Sequence, residues 1–158
     1  MNYSHCETPV GTLLVAGDQD AVSGIWLPLN GAAKIPEAGW ANSSRGAVGD
    51  AIRQLGEYFA RERKHFDLPL LPQGTPFQRT VWRSLEEIPY GETITYGELA
   101  RRVGNAKAFR AVGTANGANP LPIVVPCHRV IAAGGKLGGF GGGLAMKQQL
   151  LDLERTPQ

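Results

Sequence analysis

The sequence predicts a mixed α/β (α+β) protein in which a small domain of a β-hairpin and a helix precedes a helix-turn-helix domain. Two β-prone runs, residues 13–15 and 22–27, surround a turn-forming stretch at residues 17–20, which predicts the hairpin. Apolar residues then recur at helical spacing between residues 48 and 59. Beyond residue 74, helix-capping residues alternate with glycines, which predicts a series of short helices.

The rest of the first half contains two predicted loops. Residues 30–46 are rich in Gly, Ala, Asn and Ser, which is typical of a loop. The helix after it has one apolar face, which we expect to pack on the hairpin. That face consists of Val48, Ile52, Leu55, Tyr58 and Phe59. Two prolines and a glycine in residues 68–74 predict a linker, so we expect domains at residues 1–70 and 71–158.

The composition indicates an ordinary globular protein, with 42% hydrophobic and 19% charged residues. With only two cysteines, Cys6 and Cys127, the chain has no disulfide framework, which is typical of a reducing cytosol. The N-terminus has no signal-peptide pattern and no apolar run reaches membrane-spanning length, so we expect a cytoplasmic protein without a membrane partner. His5, Cys6 and His65 lack the paired spacing of zinc ligands, so we expect no metal.

Charge is unevenly distributed along the chain. The stretch from Leu99 to Leu151 contains no acidic residue, and its cations are Arg101, Arg102, Lys107, Arg110, Arg129, Lys136 and Lys147. Such a stretch predicts a surface that faces phosphates. The alternative is a solvated basic face whose counter-charges come from elsewhere in the fold.

The second half begins with a helix that has clear start and stop signals. Thr75 is a predicted N-cap, Pro76 takes the first helical position and Gln78 completes a capping box. The predicted buried face consists of Phe77, Val81, Trp82, Leu85 and Ile88. Residues 89–91, Pro-Tyr-Gly, end this helix.

Two shorter helices outline a helix-turn-helix. Thr95 and Glu98 form a second predicted capping box, and Gly104 ends the helix that follows. Asn105 is expected to cap the next helix, residues 106–116, which carries mostly small residues around Arg110. Small side chains allow a helix to approach either DNA or another helix closely, and the sequence leaves both possibilities open.

Residues 122–130 combine an apolar run with three chemically active side chains. Residues 123–125 predict a buried strand that Pro126 ends. If Pro126 opens a helical turn, the N–H groups of that turn favour a Cys127 thiolate. His128 could then take the thiol proton, directly or through one water. The alternative is an inert buried cysteine beside a surface histidine.

A glycine-rich segment and a last helix follow. Residues 134–143 contain seven glycines but match neither a P-loop nor a dinucleotide-binding fingerprint, which favours a loop that approaches a ligand closely. The helix that begins at Leu144 places Lys147, Leu151 and Glu154 on one face. Glu154 opposes the helix dipole there, so it needs solvent or a cationic partner such as an imidazolium.

Residues 126–130, Pro-Cys-His-Arg-Val, preceded by residues 119–122, resemble the active-site signature of the O6-alkylguanine-DNA alkyltransferases. Residues 89–93, 95–100, 110–113 and 142–144 match further motifs in the family's order. The resemblance covers about residues 75–155, and the N-terminal half is similar only in size and outline. It implies an RNase H-like N-terminal domain and a winged-helix-like C-terminal domain.

The resemblance also implies a monomeric DNA repair protein that acts once and without a cofactor. It would bind duplex DNA through the minor groove and flip an O6-alkylguanine into a pocket. Cys127 would accept the alkyl group, His128 would be a water-linked base, and Glu154 would hold His128.

Further residues are similar to the family's substrate and DNA contacts. Tyr96 would donate to guanine N3, and the carbonyls of Cys127 and Val130 would accept the exocyclic amine. The remaining predicted substrate-site residues are Asn119 as a hinge, the Gly141 N–H, and Lys147 beside the pocket. Arg110 would fill the stack left by the flipped base. The other predicted DNA-binding residues are Ala111, Gly113, Thr114 and Arg129.

Two positions depart from the family pattern, and three other classes of protein share some features. Residues 140–141 are Phe-Gly where the family often has Tyr-Ser, and Phe109 replaces an alanine. A non-catalytic alkyl-lesion-binding protein would lack Cys127, and a helix-turn-helix regulator would not need the Pro-Cys-His-Arg sequence. A cysteine hydrolase could use Asn119 to orient a histidine, but no local protease signature is present.

Overall fold

The structure is a computed structural model that describes residues 1–156. The chain forms two compact units, Met1–Gln73 and a second that begins at Gly74, so the break falls three residues after the expected end of the first domain. Within residues 1–156, no helix is both long enough and apolar enough to cross a membrane. The same residues contain no cluster of three or more potential metal ligands.

The first unit is a four-stranded sheet with one helix packed on it. Its elements are β1 (Asn2–Thr8), β2 (Gly11–Gly17), β3 (Val22–Trp26), β4 (Ala41–Asn42) and α1 (Gly46–Phe59). The strand order is β3-β2-β1-β4, with β4 parallel to β1 and the other pairs antiparallel. The predicted hairpin is confirmed as β2 and β3. Its turn forms because the Asp18 carboxylate accepts the N–H groups of Asp20 and Ala21.

Helix α1 packs mainly on β1 and β2, as predicted, through a buried face that includes Val48, Leu55 and Tyr58. The sequence did not reveal β1, because Cys6 is its only buried residue and the strand therefore lacks an apolar alternation. The expected linker begins as part of this unit: Val22 on β3 donates to the carbonyl of Pro69 and accepts from the N–H of Leu71.

Up to residue 156, the second unit contains four helices, two short strands and two 3-10 turns. The helices are α2 (Pro76–Leu85), α3 (Tyr96–Arg102), α4 (Phe109–Gly117) and α5 (Leu144–Arg155). The strands β5 (Ile94–Thr95) and β6 (Val130–Ile131) pair in parallel. The 3-10 turns are Cys127–Arg129 and Ala133–Gly135.

The predicted capping box of α2 is confirmed. The Thr75 hydroxyl accepts the Gln78 N–H at 3.1 Å, and the Gln78 side chain accepts the Thr75 N–H at 2.9 Å. Most of the predicted apolar face is buried: Val81, Trp82, Leu85 and Ile88. Phe77 is the exception, since it lies in the first turn and is 40% exposed.

The helix-turn-helix consists of α3 and α4, which pack together. Only half of the second predicted capping box forms, because the Glu98 carboxylate binds Arg101 and Arg102 and does not return to Thr95. Gly104, at φ +89, follows the end of α3. Helix α4 begins three residues later than predicted. The cause is that Asn105 uses its side chain to close a local turn, accepting the Lys107 N–H at 3.2 Å.

Helix α2 is tied to α4 by one buried hydrogen bond, from Trp82 Nε1 to the main-chain oxygen of Ala115 at 2.8 Å. We expect Trp82→Phe to lower the free energy of unfolding by about 1–3 kcal/mol, because it leaves a buried carbonyl without its donor. Phe77→Leu, at an exposed position, should change it by less than about 0.5 kcal/mol. Urea unfolding of the two variants tests this, and equal effects would contradict it.

Candidate active site

The segment before Cys127 is a tight turn, so the strand predicted at residues 123–125 is wrong. Ile123 adopts φ +75, and the Val125 N–H donates to the Leu121 carbonyl at 2.9 Å. Asn119 takes the place of a strand partner. Its side chain accepts the Leu121 N–H at 3.0 Å and donates to the Val125 carbonyl at 2.8 Å. The apolar residues are buried, as expected, but in a turn that an amide side chain closes.

Cys127 opens the single 3-10 turn that follows Pro126, so the predicted helical turn is confirmed. The cysteine is 6% exposed. Burial raises the pKa of the Cys127 thiol above its ordinary value, and this outweighs the opposite effects of the Asn119 amide and the Lys147 ammonium. The resting form at neutral pH is therefore the thiol. The turn was expected to favour the thiolate, but burial affects the pKa of the thiol more strongly than the N–H groups of the turn do.

His128 is fully buried and binds Glu154, with 2.6 Å between Nε2 and Oε2. Its other ring nitrogen, Nδ1, is buried and makes no hydrogen bond within residues 1–156. Burial lowers the pKa of His128, although Glu154 acts in the opposite direction. A neutral imidazole that donates from Nε2 to a carboxylate keeps the lone pair of Nδ1 available to accept a proton.

Glu154 is ionised at neutral pH although it is buried. Burial alone would raise its pKa, but the hydrogen bonds and charges of His128 and Arg129 outweigh burial and lower the pKa to about 2. Arg129 donates to both carboxylate oxygens, at 2.8 and 3.0 Å. From the sequence we expected either solvent or a cationic partner at Glu154. In the structure this partner is the guanidinium of Arg129.

Arg129, a predicted DNA contact, has its side chain inside this unit. Its side chain is buried, and besides Glu154 it binds the Ile88 carbonyl at 2.8 Å and lies over the Tyr90 ring. The physical reason is that a buried carboxylate requires a compensating charge, and the guanidinium matches two carboxylate oxygens at once. Arg129 therefore belongs to the interior of this unit.

Lys147 is also fully buried, although burial lowers its pKa. Its Nζ donates to three carbonyls, those of Val130 at 2.7 Å, Gly139 at 3.1 Å and Leu137. Three acceptors require three hydrogens, so the side chain is an ammonium. It anchors the glycine-rich loop to β6. The Val130 carbonyl, expected to accept the guanine amine, thus already has one strong donor.

Tyr96, the first residue of α3, lies beside the same loop. A Cβ at Gly138 would lie 3.0 Å from the Tyr96 hydroxyl, and Gly138 adopts φ +73, so this position requires glycine. Burial and the nearby Cys127 raise the pKa of Tyr96, which keeps its phenol protonated and able to donate. Gly141 is exposed, and a Cβ there would meet nothing within 4 Å.

The other predicted DNA-binding residues lie together on α4. Arg110, Ala111 and Thr114 are exposed, whereas Gly113 is half-buried, with the Tyr96 ring 3.8 Å from where its Cβ would lie. Val112 and Ala115 face the interior. The small residues of this helix therefore serve both roles left open by the sequence: some pack internally and others leave one face free for close approach.

Two features of the site escaped the sequence analysis. One is the pairing of Arg129 with Glu154, for which an acid near a helix C-terminus was the only signal. The other is Asn116, which is buried on α4 and donates to the Cys127 carbonyl at 3.4 Å. A polar residue on the inner face of a helix of small residues is the pattern that could have indicated it.

The fold and this cluster define a helix-turn-helix protein with a cysteine, a histidine and a glutamate at its site. Residues 76–156 match the DNA binding domain of 6-O-methylguanine DNA methyltransferase, and residues 1–72 match its ribonuclease-like domain. The chain belongs to the 6-O-methylguanine DNA methyltransferase family. The predicted family and fold class are confirmed.

Close relatives span nearly the whole chain. The methylated-DNA–protein-cysteine methyltransferase of Methanosarcina acetivorans is 50% identical and covers 98% of each chain. That of Mycolicibacterium paratuberculosis is 48% identical and covers 98% of this chain and 93% of its own. The crystal structure of Mycobacterium tuberculosis OGT in complex with DNA is 44% identical, with a TM-score of 0.89, and covers 98% of this chain and 93% of that one.

Because Arg129 neutralises a buried carboxylate, we expect Arg129→Met to lower the free energy of unfolding by about 3–5 kcal/mol. Arg102→Met removes an arginine from an exposed ion pair and should cost less than about 1 kcal/mol. Urea unfolding of both variants measures the difference. A small loss for Arg129→Met would restore the prediction that this arginine serves at the surface.

Proposed function

We propose that this protein repairs DNA by moving an alkyl group from O6 of guanine to Sγ of Cys127, irreversibly and once per molecule. The observation that carries the proposal is the arrangement around the cysteine. A buried thiol is followed by a histidine whose Nε2 is held by Glu154 at 2.6 Å and whose Nδ1 is free to accept a proton. The names of the relatives, methylated-DNA–protein-cysteine methyltransferase, support the same reaction.

In the proposed reaction one bond forms and one breaks. The Cys127 sulfur attacks the alkyl carbon in line with the C–O6 bond, and an S–C bond forms as that bond breaks. The bonding electrons pass to guanine, which leaves as an anion and then takes up a proton. The product is S-alkylcysteine, a thioether without a good leaving group, so the protein is consumed by the reaction.

His128 supplies the base that the raised pKa of the thiol requires. Its neutral imidazole takes the thiol proton at Nδ1, directly or through one water. The positive charge that results is stabilised by the Glu154 carboxylate, which remains ionised because of Arg129. Arg129 thus acts as a positioning residue, two contacts away from the sulfur.

Guanine would be recognised at the edge that carries N3 and the 2-amino group. Tyr96 donates to N3 and stabilises the charge that develops on the leaving base. The carbonyls of Cys127 and Val130 accept the 2-amino hydrogens, with Lys147 holding Val130 in place. The N–H of Gly141 donates to O6.

The DNA partner would be a duplex bound through the minor groove by the exposed face of α4. The small residues Ala111 and Thr114 permit close approach there, and Arg110 would replace the flipped base in the stack. Tied by Asn119, the turn before Cys127 would be the hinge between helix and nucleophile. We propose a monomer that acts in the cytoplasm, where its two free cysteines, Cys6 and Cys127, stay reduced.

We expect Cys127→Ser to abolish alkyl transfer and to leave DNA binding within about two-fold of the wild type. An alcohol has a much higher pKa than a thiol, and a neighbouring imidazole cannot ionise it. Intact mass after incubation with duplex DNA that contains O6-methylguanine should show one added methyl group on the wild type and none on the variant. Methylation of the serine variant at the wild-type rate would contradict the mechanism.

We expect Arg110→Ala to slow transfer on duplex DNA roughly ten-fold more than on a short single strand. Flipping a paired base costs a few kcal/mol, which an unpaired strand largely avoids. The matched control is Lys107→Ala, in the exposed loop before α4. It removes at most one phosphate contact, so it should slow transfer by a similar factor on the duplex and on the single strand. If Arg110→Ala slows transfer equally on the duplex and on the single strand, Arg110 contacts phosphate only and does not replace the flipped base.

We expect Gly141→Ser to raise the methyl-transfer rate and to raise the benzyl-transfer rate less, or lower it. The position has room for a side chain, and a serine hydroxyl adds one neutral hydrogen bond to O6, worth about 0.5–1.5 kcal/mol. The same hydroxyl narrows the space available to a larger group. Second-order transfer rates from methyl- and benzylguanine, measured for both proteins, give the ratio of the methyl rate to the benzyl rate. A ratio that is no higher in Gly141→Ser than in the wild type contradicts the prediction.

A further inference from the structure

Two buried side-chain atoms make no hydrogen bond within residues 1–156: Nδ1 of His128 and Oδ1 of Asn116. The proposed reaction uses the first as its base. It uses the second for nothing. A buried amide oxygen without a partner destabilises the folded state, so its presence in a native protein requires an explanation.

Asn116 lies near the end of α4 and is 4% exposed. Its Nδ2 donates a long hydrogen bond, 3.4 Å, to the main-chain oxygen of Cys127. The opposite amide orientation would place Oδ1 against that carbonyl oxygen, acceptor against acceptor. The contact therefore assigns Nδ2 to the Cys127 carbonyl and leaves Oδ1 for another donor.

The same amide also reaches the phenol of Tyr96. Burial and Cys127 raise the pKa of that phenol, while the main chain at Gly139 and the side chain of Asn116 oppose the rise by hydrogen bonding. Asn116 thus interacts with both Tyr96 and the Cys127 carbonyl. In the proposed function these two groups bind N3 and the 2-amino group, which are neighbouring atoms on one edge of guanine.

We infer that Oδ1 of Asn116 accepts a hydrogen bond from the 2-amino group of the flipped guanine and so determines the specificity of the site for guanine. The inference rests on the proposed function. The amine has two hydrogens, and the Cys127 carbonyl accepts one. The second, assigned above to the Val130 carbonyl, passes instead to Oδ1 of Asn116. The Val130 carbonyl already receives a charged donor from Lys147 at 2.7 Å, whereas Oδ1 has both lone pairs free.

This arrangement would distinguish guanine from bases that lack the 2-amino group. A base without the 2-amino group would leave the buried Oδ1 without a donor, and a site built to bind a polar group rejects the analogue that lacks it. O6-Methylguanine and O6-methylhypoxanthine differ only in this amine. The pair therefore isolates the contribution of Asn116 from the chemistry at the sulfur, which is the same for both bases.

The experiment measures second-order transfer rates from both bases, each in the same duplex, to the wild type and to Asn116→Met. Methionine is unbranched and adapts to buried sites, so the variant is expected to fold. We expect the rate on methylguanine to fall at least about ten-fold more than the rate on methylhypoxanthine. A merely structural role would lower both rates by the same factor.

An unchanged ratio of the two rates in Asn116→Met overturns the inference. If thermal unfolding shows that this variant does not fold, the ratio in Asn116→Ser decides, because the shorter hydroxyl cannot reach the amine. Equal rates of the wild type on the two bases also contradict the inference and leave the alkyl transfer intact. Failure of the wild type to accept a methyl group from methylguanine would instead overturn the proposed function itself.

Discussion

The candidate site depends on one buried anion, the carboxylate of Glu154. It lies near the C-terminal end of α5, where the helix dipole disfavours a negative charge, and it is removed from water. His128 and Arg129 compensate for both penalties by donating to its two oxygens, and the Gly91 N–H lies 3.4 Å away. Because these donors come from the Cys127 turn and from the chain after α2, the carboxylate joins three separate segments around the cysteine.

Lys147, two turns earlier on α5, is likewise a buried charge that is stabilised by hydrogen bonds to other segments, but its charge is positive. Residues seven apart share a helix face, so the ammonium and the carboxylate both point into the unit. The ammonium binds carbonyls of β6 and of the glycine-rich loop, a segment with high conformational entropy when free. One helix therefore holds both the glycine-rich loop, through Lys147, and the turn of Cys127, through Glu154.

The protonation states that follow from burial suit a protein that reacts once. A neutral buried thiol is a weak nucleophile and a poor target for oxidants, so in the proposed function Cys127 would be protected until it is activated. His128 is neutral and able to accept a proton, and its partner Glu154 is already ionised. In the proposed reaction, activation thus needs only the movement of one proton over a short distance when the alkylated base arrives.

Sequence alone determined the elements whose hydrogen bonds close within one turn of chain, such as the capping box at Thr75, together with the cysteine and histidine that open a short helical turn. It could not determine residues 123–125, because an apolar run suits a strand or a buried turn equally, and the side chain of Asn119 decides between them. Nor could it place Arg129, which belongs by sequence to a basic stretch. Its partner Glu154 is 25 residues away, so only the packing of α5 against the cysteine turn brings the charges together and buries the pair. Local propensity depends on neighbours along the chain, whereas the pairing of buried charges depends on which elements meet.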